Sequence, residues 1–354
     1  MTNDIMIAYG LTAQYASLAQ AYGPQYEAAR ILSQEKGLYR LICARGEQTG
    51  AVSGRLRYNA RSAADFPAVG DFVAIESSYQ NGSAVIHEVL PRKSVFIRKA
   101  AGTGHAEQVV AANVDTLFIC MSLNNDFNLK RLERYLSVAW ESGATPVVVL
   151  TKADLCADVQ RCMRDVASVA VGVDIVLTSA LAQDGYAKLL PFLQPGRTVA
   201  LIGSSGVGKS TLVNRLLGED RLNTNGLRDD DKGRHTTTRR ALFLLTQGGM
   251  VIDTPGMREL GLWDSDEGLD RAFSDIEALA KKCRFRDCSH TNEPRCAVRE
   301  ALQSGLLSEE RLLSYRKLRN ENRYSEDAKG YMSEKREKFK NIALANKAAG
   351  RKQK

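Results

Sequence analysis

Nowhere does the chain carry an apolar run approaching the ~18 residues that a membrane-spanning helix needs, so no span is expected. Its first residues, Met1-Thr2-Asn3-Asp4-Ile5, lack a basic stretch followed by an apolar one. No secretory signal is therefore expected, and a cytoplasmic, reducing compartment is the default. There are no heptads and no broad apolar stripe to demand a dimer, so a monomer is expected. No tandem repeat is apparent. Extreme composition is missing too: hydrophobic residues make up 44% and charged residues 25%, which excludes collagen-like, disordered and disulfide-scaffold chains. The seven cysteines are an odd number spread over 354 residues. Three of them cluster with a histidine late in the chain, which reads as a metal site before a disulfide framework. What is in excess is positive charge, 49 basic against 41 acidic residues, a net +8. That fits a polyanionic partner without requiring one.

At roughly 150 residues per domain the length predicts two or three domains. Residues 1–33 are Ala-rich, with Leu11, Tyr15, Leu18 and Tyr22 at helical spacing before Gly23-Pro24, and are expected to form a helical extension. From 34 to 98 short β-branched or alternating runs recur at Leu38–Cys43, Ala51–Tyr58, Asp71–Ile75, Ala84–Leu90 and Val95–Arg98. Five short strands separated by Gly, Asn and Pro predict a small Greek-key barrel of the oligonucleotide-binding kind. Ten basic and six acidic residues between 35 and 99, with Tyr39, Tyr58 and Phe66 for stacking, permit RNA binding. From 99 to 265 the texture is β/α, with apolar runs at Thr116–Cys120, Val147–Leu150, Ile175–Leu177, Thr198–Ile202, Ala241–Leu245 and Met250–Ile252. Helical stretches such as Leu129–Trp140 and Ser210–Leu217 lie between them, so a mostly parallel sheet with crossover helices is expected. Residues 266–354 read as helical, with a cysteine loop and a charged tail. From 309 to 354 there are 14 basic and 7 acidic residues, a surplus of +7. The tail is either a solvated face or an arm that contacts RNA.

The strongest chemical signal is Gly203-Ser204-Ser205-Gly206-Val207-Gly208-Lys209-Ser210, after one predicted strand and opening a predicted helix. Its glycines let backbone N–H groups turn inward around a β-phosphate. Lys209 offers a point charge to the β and γ oxygens, and Ser210 a hydroxyl to Mg²⁺. The helix N-terminus adds partial positive charge, and Thr211 completes the nucleotide-binding set. Asp253-Thr254-Pro255-Gly256 follows the strand at Met250–Ile252. There Asp253 can hold Mg²⁺ through water, and the Gly256 N–H can meet a γ-phosphate and act as a switch. Thr151-Lys152-Ala153-Asp154 follows another strand. Asp154 there can accept both the ring N–H and the exocyclic amine of guanine, a charge-assisted pair that adenine cannot supply. Lys152 can lay its stem over the base, and Ser179-Ala180 can offer a backbone N–H to the six-oxo group. Together these select GTP over ATP.

The motif order is unusual. The guanine motifs at 151 and 179 precede the phosphate loop at 203 and the switch at 253, whereas Ras-like GTPases begin with the phosphate loop. A circular permutation explains this, because domain termini lie close enough to be rejoined. The switch then runs directly into the C-terminal region, so the γ-phosphate state can be passed there covalently. Between the phosphate loop and the switch, residues 228–238 are polar and Gly-containing, and ordering by γ-phosphate and Mg²⁺ is expected. One of Thr236, Thr237 and Thr238, with Thr237 the working choice, is the expected second hydroxyl on Mg²⁺. Cys283, Cys288, His290 and Cys296 supply three thiolates and an imidazole, a closed shell suited to one structural Zn²⁺. Cys43, Cys120, Cys156 and Cys162 read as isolated thiols.

These motifs, with Gly233–Thr238, together resemble the ribosome small-subunit-dependent GTPase A family over roughly residues 34–320. The resemblance implies an oligonucleotide-binding barrel, a circularly permuted GTPase and a Cys/His zinc domain. It also implies a bacterial cytoplasmic GTPase that binds the small ribosomal subunit and its rRNA late in maturation, hydrolyses GTP to GDP when stimulated by the subunit, and is then released. Two other readings compete: a nucleotide-gated RNA-binding module with negligible turnover, and a P-loop phosphotransferase. Thr151–Asp154 argues against the last. Where Ras-like enzymes place a water-orienting Gln after the switch glycine, this chain has Met257. His235, beside the Thr run, is the expected catalytic group that positions water, with Lys209 and Thr237 as the other catalytic candidates.

Overall fold

The computed structural model describes residues 2–35, 37–77, 83–99, 107–124, 126–179, 182, 185–218, 240–253, 266–286 and 288–326. Two short helices, α1 (Thr2–Ala8) and α2 (Ala13–Gln20), open the chain. Thr12 caps α2 by accepting from the Tyr15 N–H. The barrel then begins at β1 (Glu27–Glu35), earlier than expected, so the 33/34 boundary falls inside a strand. The reason is burial. Ala28 to Ser33 are all buried, so β1 has covered faces on both sides and shows no alternation of polar and apolar residues.

The barrel continues through β2 (Leu38–Cys43), β3 (Gly46–Val52), helix α3 (Gly54–Asn59), β4 (Phe72–Ser77) and β5 (Ser83–Val89). The stretch expected as one strand from Ala51 to Tyr58 is thus the end of β3 and a helix. Ser53 breaks it by capping α3, its hydroxyl accepting from the Leu56 N–H. β1 pairs antiparallel with β2 through its second half and with β4 through its first. β3 runs parallel to β5, and β5 antiparallel to β4. The order β1-β2-β3-β5-β4-β1 closes a five-stranded barrel around Ile31, Leu41, Val73, Ile75 and Ile86. The fifth expected strand lies elsewhere: among the described residues β6 (Val95–Lys99) pairs with β7 (Glu107–Ala112) alone, in a separate two-stranded sheet. The 98/99 boundary therefore cuts through that sheet.

The remaining strands of this unit are β8 (Thr116–Ser122), β9 (Thr145–Thr151), β10 (Asp174–Leu177), β11 (Thr198–Ile202), β12 (Ala241–Leu244) and β13 (Met250–Asp253). They form the order β10-β9-β8-β11-β13-β12, parallel except for β12. Helices α4 (Leu129–Ser142) and α5 (Val159–Val169) are crossovers between parallel strands, and α6 (Lys209–Leu217) follows β11. β8 and β11 are buried along their whole length, as a sheet covered on both faces requires. A single bridge, Ser33 to Ala241, joins β12 to β1 and makes the sheet continuous with the barrel.

Arg30 on β1 sits at that seam and is 1% exposed. Its guanidinium donates to the carbonyls of Tyr9 (2.6 Å), Gly70 (3.3 Å) and Asn113 (3.3 Å) and to Thr198 Oγ1 (2.7 Å). It also lies 4.8 Å from the centre of the Phe72 ring. Burial lowers its pKa to about 10, which leaves it cationic at neutral pH.

The described residues from 266 onward belong to a second compact unit. Its helices are α7 (Asp266–Ala272), α8 (Ser274–Ala280), α9 (Ala297–Gln303) and α10 (Glu309–Glu326). They pack Leu269, Phe273, Ile276, Val298, Leu312 and Tyr315. Arg311 fixes α10 by a two-bonded pair with Asp275, both bonds 2.7 Å, over the Phe273 ring. No helix among the described residues is long and apolar enough to cross a membrane.

Replacing Arg30 with Ala takes a donor from the carbonyls of Tyr9, Gly70 and Asn113 and from the Thr198 hydroxyl, while Gly70 keeps its bond from the Asn113 side-chain amide. The cost should be at least about 3 kcal/mol of unfolding free energy, read from urea titration. A loss below about 1 kcal/mol would show that the seam does not depend on Arg30.

Candidate nucleotide site and cysteine-histidine cluster

β11 delivers the chain into the glycine loop at its C-terminal end. Gly203 has φ +150°, and a Cβ there would sit 2.3 Å from the Cys120 carbonyl oxygen on β8. No other residue fits without moving backbone. Gly206 (φ +74°) and Gly208 (φ +100°) take left-handed conformations, and Gly208 forms the cap of α6. The loop therefore curls around the start of a helix whose first N–H groups have no intrahelical partner. Lys209 Nζ donates to the carbonyls of Gly203 and Ser204, both at 2.7 Å, so its charge is held across the loop. Ser210 and Thr211 follow in the first turn of α6, both half-buried. Beneath the loop the Cys120 thiol is fully buried and pushed up to about 12, so it stays neutral.

The motif 52 residues earlier in the chain meets this loop. Thr151 ends β9, and its hydroxyl donates to the Val207 carbonyl at 2.6 Å. Lys152 then takes a left-handed conformation (φ +55°) and leads into a 3₁₀ turn, Ala153–Leu155, that carries Asp154. The Ser179 hydroxyl donates to Asp154 Oδ1. Thr178 ties the same two loops, its N–H donating to Leu150 O at 2.8 Å and its carbonyl accepting from the Ala153 N–H. Asp253 ends β13, whose register beside β11 pairs Ala200 with Ile252, so Asp253 stands next to the strand that feeds the loop. The structure thus brings Thr151, Lys152, Asp154, Ser179, the loop Gly203–Ser210 and Asp253 to one edge of the sheet. Ala180, Gly256, Met257 and the whole segment with His235, Thr236, Thr237 and Thr238 lie outside the described residues.

One contact had no motif to announce it. The Ser204 hydroxyl donates to Asp126 Oδ2, and Arg131 Nη2 holds the same carboxylate at 2.8 Å. Asp126 lies in the loop after β8, just before Asn128 caps α4. Only the parallel register of β8 beside β11 sets it against the phosphate-type loop. Among the aromatics expected to stack on RNA, Tyr58 is 89% exposed but Tyr39 is 2% exposed and belongs to the barrel core. Phe66 lines a groove of about 230 Å³ with Arg57 and Gln108.

In the second unit, the ligand atoms of Cys283, Cys288, His290 and Cys296 all lie within 4.8 Å of one another. Cys283 and Cys296 sulfurs are 3.8 Å apart, and His290 Nδ1 is 3.6 Å and 3.4 Å from them. Zn–S bonds of about 2.3 Å and a Zn–N bond of about 2.0 Å at tetrahedral angles require about 3.8 Å and 3.5 Å. The donor set therefore fits one zinc ion. Burial, with Arg316 and Arg319 nearby, lowers the His290 pKa, which favours the neutral imidazole that can bind metal. Glu293 organises the loop by accepting the N–H groups of Ser289, Thr291 and Asn292. The Ser289 hydroxyl above all, with the backbone N–H groups of Glu293 itself, Ser289 and Thr291, holds its carboxyl down at about 2. Cys156 and Cys162, expected to be isolated, are instead neighbours, with sulfurs 3.7 Å apart.

A sequence profile of the RsgA GTPase family matches residues 89–263. The small ribosomal subunit biogenesis GTPase RsgA 2 of Lactiplantibacillus plantarum is 51% identical over 321 residues, covering 90% of each chain. The small ribosomal subunit biogenesis GTPase RsgA of Methanosarcina acetivorans is 46% identical over 302 residues, 85% of this chain and 81% of that one. Among solved structures, YjeQ from Thermotoga maritima superposes with a TM-score of 0.64 at 27% identity, covering 84% of this chain and 98% of that chain. YloQ, described as a circularly permuted GTPase, gives 0.62 at 25% identity over 84% and 95%. At these identities, over most of its length and theirs, the chain belongs to the RsgA GTPase family of GTP-hydrolysing enzymes.

Proposed function

We propose that this GTPase acts on the small ribosomal subunit as a late maturation checkpoint, with subunit binding stimulating hydrolysis and hydrolysis releasing the protein. The relatives' names support the partner. The observation that carries the nucleotide half is the Thr151 hydroxyl on the Val207 carbonyl, which locks the guanine-reading loop to the phosphate loop. In this reading Asp154 accepts the guanine N–H groups, Lys152 covers the base, and Ser179-Ala180 meets the six-oxo oxygen. Gly203 to Thr211 cradle the phosphates, with Lys209 on the β and γ oxygens. Ser210, Asp253 and Thr237 would hold Mg²⁺, which supplies charge neutralisation to the phosphate oxygens. The Gly256 N–H senses the γ-phosphate, and the chain that follows carries that state into the C-terminal unit. The barrel and the basic tail contact rRNA through a net positive charge, and the protein works as a cytoplasmic monomer.

His235 positions the attacking water in this account. Met257 has no group that can do so, and a neutral imidazole can accept a proton from water or orient it. Slow turnover alone and fast turnover with subunits follow, because the subunit would act by ordering the segment around His235. GTP hydrolysis measured with and without small subunits tests this directly. His235→Ala should bind GTP normally and lose about 10²-fold or more of the stimulated rate, the range of a single acid–base group. Full stimulation of that variant would remove His235 from the role, and no stimulation of the parent would remove the checkpoint.

One structural zinc per chain, held by Cys283, Cys288, His290 and Cys296, completes the reading. Its chemistry there is folding free energy, since all four positions are protein ligands. Metal analysis of purified protein should find about one zinc per chain. Cys296→Ser should release it and lower helical content in the C-terminal unit while GTP affinity stays unchanged. Zinc-free protein with that unit fully folded would refute the site.

A further inference from the structure

Cys156 and Cys162 flank the loop proposed to read guanine. Cys156 caps the 3₁₀ turn that carries Asp154, its N–H donating to the Ala153 carbonyl at 3.3 Å. Cys162 lies in the first turn of α5, whose cap Asp158 accepts from the Arg161 N–H at 2.9 Å. The sulfurs are 3.7 Å apart, in van der Waals contact, and both residues are half-buried and so reachable from solvent. A disulfide needs about 2.05 Å, so roughly 1.7 Å must close.

The two sides yield unequally. α5 is anchored by Val166 and Val169, which are 0% and 7% exposed. The turn is held by backbone bonds of 3.0 to 3.3 Å, including Ala153 N–H to Thr178 O. Its Leu155 side chain is 63% exposed, so the turn buries little apolar surface there. Closure that moves the less anchored side draws Cys156 toward α5 and shifts the turn whose Asp154 is held by the Ser179 hydroxyl.

We propose that Cys156 and Cys162 are an oxidative modification site, forming a reversible disulfide that weakens guanine-nucleotide binding. The second half of this proposal rests on the reading of Asp154 as the guanine contact. The oxidant is a low-molecular-weight disulfide. One cysteine thiolate attacks it, forming a mixed disulfide and releasing one thiol. The second cysteine thiolate then attacks the protein sulfur, the intramolecular S–S bond forms, and the other thiol leaves. Two cysteine thiols are oxidised and one small disulfide is reduced to two thiols, so protons and electrons balance.

The test uses the full zinc-loaded chain and oxidised glutathione. Trypsin cuts after Lys152, Arg161 and Arg164, so the bridged protein yields peptide 153–161 linked to peptide 162–164. That linked pair should appear after oxidation and vanish with dithiothreitol. GTP affinity should fall by about fivefold or more, the effect of disturbing a charge-assisted bond, and recover on reduction. Cys156→Ser and Cys162→Ser should keep their affinity through the same treatment. Glutathione on either cysteine without the linked pair would overturn the proposal, as would a linked pair with unchanged GTP affinity. An equal loss in the serine variants would assign the effect to other thiols and overturn it too. If the reduced protein bound ATP as tightly as GTP, the Asp154 reading would fail, while the linked peptides would still decide the disulfide.

Discussion

In a parallel sheet every strand points the same way, so the loops that leave the strand ends share one edge whatever order the chain visits them. The nucleotide-site architecture depends on that constraint. β8, β9, β11 and β13 are parallel and adjacent, and their C-terminal ends deliver Asp126, Thr151, Gly203 and Asp253 to the same edge. Thr151 reaches back to Val207 across 56 residues of sequence. Moving the chain ends leaves these contacts intact, which is why a permuted order of motifs still builds one site. What permutation changes is what lies downstream: β13, which carries Asp253, is the last described strand before the helical unit.

The barrel and this sheet are also joined by a physical device, not by a linker. β1 belongs to the barrel on two sides and touches β12 on the third. Arg30 spends its guanidinium on backbone carbonyls from three separate segments and on the Thr198 hydroxyl at the start of β11. A cation with no carboxylate among its hydrogen-bond acceptors is costly to bury and is repaid here by near-complete hydrogen bonding. Disturbing the seam therefore reaches the strand that carries the phosphate-type loop.

The glycine loop, the Thr151–Asp154 turn and the Cys₃His set were legible in the sequence because each is a short, local pattern whose residue types are dictated by chemistry. β8, β9, β11 and β13 were legible because buried parallel strands read as short apolar runs, and β10 and β12 because short apolar runs mark them too. β1 was not, because Glu-Ala-Ala-Arg-Ile-Leu-Ser-Gln has helix-forming composition and its burial on both faces is a tertiary fact. The turn at Ser53 and the pairing of β6 with β7 were likewise settled by capping and by non-local partners. Asp126 and the Cys156–Cys162 pair escaped for the same reason: their meaning lies in which strand or helix packs beside them, and spacing alone carries no trace of it. Tyr39 shows the converse, an aromatic that looks available for stacking until the barrel closes over it.

The central claim is that the out-of-order motifs make one site that reads guanine through Asp154. Equilibrium titration with GTP, ITP and ATP under identical Mg²⁺ tests it most directly. Inosine keeps the ring N–H and loses the exocyclic amine, so it should bind more weakly than guanine by about tenfold or more, the worth of one charge-assisted bond. Adenine offers neither group in that arrangement and should not bind detectably at concentrations that saturate GTP. Equal affinities for GTP and ATP would contradict the account.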